Sequence, residues 1–569
     1  MLDVAVRGGA VVDGTGAPRR RADVGIADGR VVAIGEVGQA HRTIDADGLV
    51  VAPGFCDVHT HFDAQAFWDG ALTPSPFHGV TSAMAGNCGF TLAPLDDTAA
   101  DYLVRMLAVV EGMPLDALRA GVPMDWTTTA GYLDRLEGRL AINAGFMVGH
   151  SALRRVVMGP AATERNATED EVAAMAKLLR DGLEAGGMGF SSSWGAAHKD
   201  GDGANVPSRH ADASELLALA AVCRTVDGTS LEFIPPRTDQ FDEVQRELLV
   251  GMSAAAGRSL NWNVMRVTSG SEEATRRQLD VGAYARANGA DVVALHMPIP
   301  SRARFSFGTG FVLDVLPGWQ DIMNMPIKER VVALRHPDVR RRLAAGAEAA
   351  VGPLREIAEW DKRVITETFT PEARPYQGRR VADIAREEGK DPFDALLDIA
   401  CADELATTFS RLPSFPSVDD WRAAVDVWRD AGAIIGASDA GAHLDFTAYF
   451  DYPVYVIEHA VREHGLLPLE EAVHLMTDVP ARLYGMRDRG RLAEGAWADV
   501  VVFDEATVAS GEMSTRFDLP AGAGRLYGEP VGVHQVLVNG DVVVSEGALT
   551  DARPGRVLRS GRDTTTVAR

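Results

Sequence analysis

The stretch Val51-Ala-Pro-Gly-Phe-Cys-Asp-Val-His-Thr-His-Phe-Asp63 carries the strongest signal in the chain. It reads as a short apolar strand that ends in polar residues. In a strand, residues two apart point to the same face, so His59 and His61 aim together. Two imidazoles presented this way are half of a metal site. A bare His-x-His is more often an incidental pair. The preceding Pro53-Gly54 and the following Asp63 weaken that alternative here.

Outward from this segment, the first 50 residues read as short strands. Val4-Ala-Val, Gly9-Ala-Val-Val-Asp, Ala22-Asp-Val-Gly-Ile and Arg30-Val-Val-Ala-Ile are separated by turns that include the Asp-Gly pairs 13–14 and 28–29, which predict hairpins. The C-terminal end has the same texture. Ala498-Asp-Val-Val-Val-Phe is a strand, and His534-Gln-Val-Leu-Val-Asn-Gly-Asp-Val-Val-Val is a hairpin turning on Asn539-Gly540. Neither group can bury an apolar face alone. Together they predict one small β-sandwich made of residues 1–52 and 490–569. Between them, over 53–489, strand-like runs at Ala141–His150, Gly187–Ser191, Thr229–Ile234, Leu260–Val264 and Ala433–Asp439 alternate with helical patterns. One such helix spans Glu169–Gly186, and another opens at Asp391-Pro392. This predicts an α/β fold with a parallel sheet covered on both faces. A (β/α)₈ TIM-like barrel is one solution, and periodicity alone does not separate it from an open doubly wound sheet. The stretch 300–430 is longer than one βα unit needs and predicts a helical insertion over the strand ends.

The balance of 80 Asp+Glu against 56 Lys+Arg leaves a net charge of −24, with no basic tract. That argues against nucleic acid or an anionic membrane as partner. No window approaches the ~18 apolar residues of a membrane span. Cys56, Cys88, Cys223 and Cys401 are far apart, and the N-terminus carries charges where a signal peptide would be apolar. Both features predict a cytoplasmic protein. Composition leaves homo-oligomerisation open.

The run PGFCDVHTHFD resembles the amidohydrolase superfamily signature at a first barrel strand. The continuation His78-Gly-Val-Thr-Ser-Ala-Met-Ala-Gly-Asn-Cys-Gly-Phe90 resembles the D-aminoacylase (N-acyl-D-amino-acid deacylase) branch. So do Thr477-Asp-Val-Pro-Ala-Arg-Leu-Tyr-Gly485 and Arg489-Gly-Arg-Leu-Ala-Glu-Gly-Ala-Trp-Ala-Asp-Val-Val-Val-Phe503. The resemblance spans nearly the whole chain. It implies the barrel with a sandwich, zinc, and hydrolysis of a non-peptide C–N bond in a small-molecule substrate. His59 and His61 match the first ligand pair, and Cys88 matches a cysteine ligand. Asp439, in Gly436-Ala-Ser-Asp-Ala-Gly441, matches an aspartate that both ligates metal and serves as general base and then acid.

Two histidines of the family pattern are missing. Glu232, in Ser230-Leu-Glu-Phe-Ile, and Asn263, in Asn261-Trp-Asn-Val-Met, stand where imidazoles are expected. Glu232 can ligate through oxygen, whereas Asn263 suits hydrogen bonding to substrate. The expected complement is therefore one tightly held zinc, with two as the alternative. By the same resemblance His150 and Arg154, in Gly149-His-Ser-Ala-Leu-Arg, are expected to face substrate. His443 sits four residues past Asp439 and is expected to line the mouth. His296 and Arg237 are weaker candidates, for a replacement ligand and a substrate-carboxylate partner. Two rivals stay open at this stage. One keeps the metal but hydrolyses a lactone or ester or deaminates; the other is a non-catalytic scaffold that has lost its second metal site.

Overall fold

In the computed structural model, residues 1–237, 241–299, 302–310, 312–351, 353–411 and 416–567 are described. Within the stretch 300–430, positions 300–301, 311, 352 and 412–415 lie outside the described residues. The two ends of the chain meet in one nine-stranded sheet. The strand Val500–Phe503 pairs antiparallel with Val50–Pro53 on one side and with Val533–Val538 on the other. Val6, Val24, Ile26, Val51, Val500 and Leu537, drawn from both ends, share one buried apolar cluster.

The turns follow their residue types, with one exception. Asp28-Gly29 and Asn539-Gly540 both have positive φ at each position, as a tight hairpin of inverted type requires. Asp13-Gly14 does not make a two-residue hairpin. Residues 12–19 form a longer loop in which the Asp13 carboxylate accepts Thr15 N–H at 3.0 Å, an Asx turn that competes with the hairpin geometry. The two runs expected before it form one strand, Leu2–Val11, with an irregular register between Val6 and Gly9.

The centre of the chain is α/β. Phe55–Asp57, Val80–Ala85 and Asn143–Phe146 pair in parallel in chain order. Val148–Gly149, Gly189–Ser193, Ser230–Ile234, Leu260–Met265, Val292–His296 and Ala433–Ile435 do the same. The two sets join at both ends. Met147 links Asn143–Phe146 to Val148–Gly149 along the chain, and Thr60 forms a parallel bridge to Ala440. The tail leaves the terminal sheet, and Val557–Leu558 pairs with Asn143–Phe146.

Helices alternate with these strands. Glu169–Glu184 starts with a capping box of Thr168 and Glu171 and buries Met175, Leu179 and Leu183. Pro392–Ala402 starts at Asp391, whose carboxylate accepts Phe393 N–H. The stretch expected as a helical insertion also contains a three-stranded antiparallel sheet of Arg304–Ser306, Thr408–Arg411 and Arg363–Glu367. These strands are three to five residues long and carry arginines, so no apolar alternation revealed them. The unit has its own core around Phe305, Trp319, Trp360, Phe393 and Phe409.

Deleting residues 490–569 would leave Val50–Pro53 with an open edge and expose half of the terminal core. The truncated chain is expected in the insoluble fraction. A monodisperse soluble species on size-exclusion chromatography would contradict this account.

Candidate metal centre

The segments that follow two of the parallel strands deliver chemistry. After Phe55–Asp57, His59 and His61 are almost wholly buried, with ring centroids 5.3 Å apart. After Val80–Ala85, Gly86, Cys88 and Gly89 all take positive φ, and the tight turn puts Cys88 Sγ 3.5 Å from His59 Nε2 and 3.8 Å from His61 Nε2. Asn87 holds that turn by donating to Thr60 O and Met84 O. From the far end of the parallel set, Asp439 places Oδ1 3.3 Å from His59 Nε2 and 3.5 Å from His61 Nε2.

One donor atom from each of His59, His61 and Cys88 lies within 4.8 Å of the other two. A tetrahedral zinc, with nitrogen and oxygen at about 2.0–2.1 Å and sulfur at about 2.3 Å, spaces its donors about 3.3 to 3.6 Å apart. Three of the four distances given above, 3.3, 3.5 and 3.5 Å, match that spacing, and Cys88 Sγ to His61 Nε2 at 3.8 Å is slightly longer. The donor chemistry fits as well. Burial pushes the Cys88 thiol well up, and the carboxyls of Glu232, Glu111 and Asp439 push it further, so a thiolate is favoured there only beside a cation. Burial brings His61 down to about 4, leaving a neutral imidazole able to ligate. For Asp439 burial works upward, but the hydrogen bonds and charges of His59 and His61 outweigh it and hold the carboxylate well below its usual range.

The other expected residues are placed as follows. Glu232 accepts Cys88 N–H at 2.8 Å through Oε2 and the Asn263 amide through Oε1, so both oxygens are engaged one step outside the donor cluster. His443 follows Asp439 on the same loop, half-buried, and its N–H donates to Glu111 O. His150 and Arg154 turn inward, which replaces the expectation of a substrate contact. His150 engages Ser192 Oγ and Glu215 Oε1, each at 2.8 Å, and Arg154 clasps the same Glu215 with its side chain fully buried. His296 takes the Trp428 indole N–H on Nδ1 at 2.8 Å and lies outside the donor cluster, and Arg237 is exposed.

The family model described as the amidohydrolase family matches residues 42–544. This chain belongs to the amidohydrolase family. It is 32% identical, over 98% of its length and 96% of the relative's, to an N-acyl-D-glutamate deacylase of Alcaligenes xylosoxydans xylosoxydans. Its fold is similar to that of an N-acyl-D-glutamate deacylase of Bordetella bronchiseptica complexed with zinc and a phosphonate mimic of the tetrahedral intermediate. There the TM-score is 0.66 at 29% identity, covering 98% of this chain and 100% of the other. A D-aminoacylase with a binuclear metal centre, activated by one metal and attenuated by a second, gives a TM-score of 0.66 at 27% identity over the same shares.

This amidohydrolase also brings to the site Glu111, which no sequence motif marked, and Asp63 of the histidine segment. Glu111, just past the helix Ala99–Val110, sets Oε1 3.3 Å from His61 Nδ1. Asp63 Oδ2 accepts Gly86 N–H at 2.9 Å and braces the Cys88 turn. A cleft of about 1680 Å³ opens between Arg266 and His296 at the strand ends and Arg363 and Arg380 of the inserted unit. The donor cluster is not on its walls; beside Asp439 lies a slot of about 20 Å³.

Cys88→Ala is expected to keep the fold and to weaken zinc retention by more than the ~10–100-fold typical of losing an outer partner. Competition against a fluorescent chelator, with circular dichroism as the fold control, measures this. An unchanged zinc affinity would remove Cys88 from the donor set.

Proposed function

We infer that this amidohydrolase is a zinc-dependent deacylase that cleaves the amide bond of N-acyl-amino acids, D-configured as in the relatives' names. The observation that carries this reading is the meeting of two imidazoles and a thiol within 4.8 Å of one another, with an ionised carboxylate 3.3 and 3.5 Å from the two imidazoles. The scaffold would be a (β/α)₈ barrel of the parallel strands, residues 53–489. Residues 1–52 and 490–569 would make a sandwich, and 302–411 an inserted unit. The shared terminal sheet and the Thr60–Ala440 bridge support that division.

His59, His61, Cys88 and Asp439 would hold the zinc. When bound, zinc supplies a Lewis acid for the scissile carbonyl and lowers the pKa of water toward ~7. Asp439 is the ionised carboxylate in the group, so it takes a proton from the attacking water. The water oxygen bonds to the carbonyl carbon, Asp439 returns the proton to the leaving nitrogen, and the C–N bond breaks to release a carboxylic acid and an amine. Glu232 and Asn263 bond to each other where a second ligand pair would stand, which supports one zinc rather than two. The buried His150–Arg154–Glu215 network reads as a brace under the strand ends. Four free, buried cysteines fit a cytoplasmic location.

Asp439→Asn keeps size and one acceptor but removes the proton carrier. It is expected to lower kcat by about 10² to 10⁴ on an N-acetyl-D-amino acid that the native enzyme turns over, with the zinc content retained. Near-native turnover would end the mechanism. Elemental analysis after dialysis against a chelator is expected to give about one zinc per chain, and two equivalents would show that Glu232 supports a second site.

A further inference from the structure

His198 lies in the loop after the strand Gly189–Ser193, in a segment with no motif. Its ring packs edge-on against Phe90, two residues past Cys88, with centroids 5.1 Å apart. Phe90 N–H donates to Asn87 O at 3.0 Å, so the ring that His198 packs on is part of the Cys88 turn itself. His198 is nevertheless outside the group of mutually close donor atoms.

Hydrogen bonding sets its tautomer. Ser193 Oγ accepts Gly195 N–H at 3.0 Å and lies 2.7 Å from His198 Nδ1. Ser193 is fully buried, and His198 Nδ1 is the acceptor that its hydroxyl proton has among the described residues. Nδ1 is therefore the acceptor of that bond, and the ring proton sits on Nε2, on the side away from Ser193. Burial, aided by the charges of His443 and His61, pushes the ring down to about 3, so it stays neutral at working pH. A neutral imidazole with a fixed N–H is a preorganised donor that costs no reorganisation when negative charge develops nearby.

We propose that His198 is a catalytic hydrogen-bond donor, its Nε2–H stabilising the carbonyl oxygen as it becomes an oxyanion, with Ser193 as the residue that fixes the tautomer. The proposal rests on the deacylase reading for its substrate, but its geometry can be tested apart from turnover. Zinc-loaded native enzyme and His198→Ala are compared for kinetics on N-acetyl-D-amino acids, for zinc content, and for binding of methylphosphonate by calorimetry. The expected result is a fall in kcat of about 10² to 10³ with little change in KM and unchanged zinc. Methylphosphonate is expected to bind at least ~tenfold more weakly, and His198→Gln, whose amide N–H can replace Nε2–H, is expected to recover part of both losses. Equal phosphonate affinity in native enzyme and His198→Ala, or none in the native enzyme, overturns the proposal, as does a loss confined to KM. Failure of the native enzyme to hydrolyse any N-acyl-amino acid would instead refute the deacylase reading, and the phosphonate comparison would still decide the placement of His198.

Discussion

Two backbone hydrogen bonds, Asp439 N–H to His59 O at 3.1 Å and His61 N–H to Ala440 O at 2.7 Å, join the first and last runs of the parallel set. Everything at the centre depends on that join, because it places the carboxylate beside the imidazoles through the main chain rather than through flexible side chains. The approach is close. A Cβ on Gly441, which sits at φ +91, would come within 2.5 Å of His61 O, so only glycine fits there. A register slip of one residue would move a donor by about 3.3 Å and turn it to the opposite face, and the approach of Asp439 to the two imidazoles would be lost.

The same join explains why the inserted unit bears on the site. Arg304, on its first strand, donates N–H to Phe446 O at 2.9 Å and Nε–H to Asp445 O at 3.0 Å. Its guanidinium also pairs with Glu367 and reaches Thr515. One largely buried arginine thus fastens the inserted sheet and the Ser514–Arg516 strand to the loop that carries His443. The cleft between that unit and the strand ends is then a consequence of docking a separately cored unit on a fixed rim.

What was legible in the sequence follows from local geometry. His59 and His61 could be paired because strand alternation is strict, and Asp439 could be placed because an apolar run leads to it. The Asp28-Gly29 and Asn539-Gly540 hairpins were legible because both positions need positive φ. Glu111 and His198 were not. They sit on a helix end and in a loop, and only the three-dimensional path brings them toward the site; Asp63 stood in the motif, but its bond to Gly86 was not readable there. His150 and Arg154 lie on a motif-like segment, yet Glu215, 61 residues beyond Arg154, turns both inward. A buried carboxylate that can satisfy an arginine and a histidine together leaves neither with reason to face solvent.

The distribution of charge then separates the roles of the acids. Five carboxyls crowd the two imidazoles, and their environments push them apart. Burial, the largest influence on each, raises Asp57 to about 6 and Asp63 and Glu232 to about 7. Glu111 is raised well above its usual range, where the charges of Asp439, Asp63 and Glu232 add to burial. Only Asp439, against both imidazoles and with a side chain 19% exposed, goes the other way. Carboxyls drawn toward neutrality cost less to bury and compete less for the imidazoles than the firmly ionised Asp439. When titratable groups in one site are driven in opposite directions, the group held most firmly ionised is the natural base, while Asp63 and Glu232, which accept N–H bonds from the surrounding turn and amide, serve as braces. That division, produced by position alone, distinguishes Asp439 from the four other acids around it.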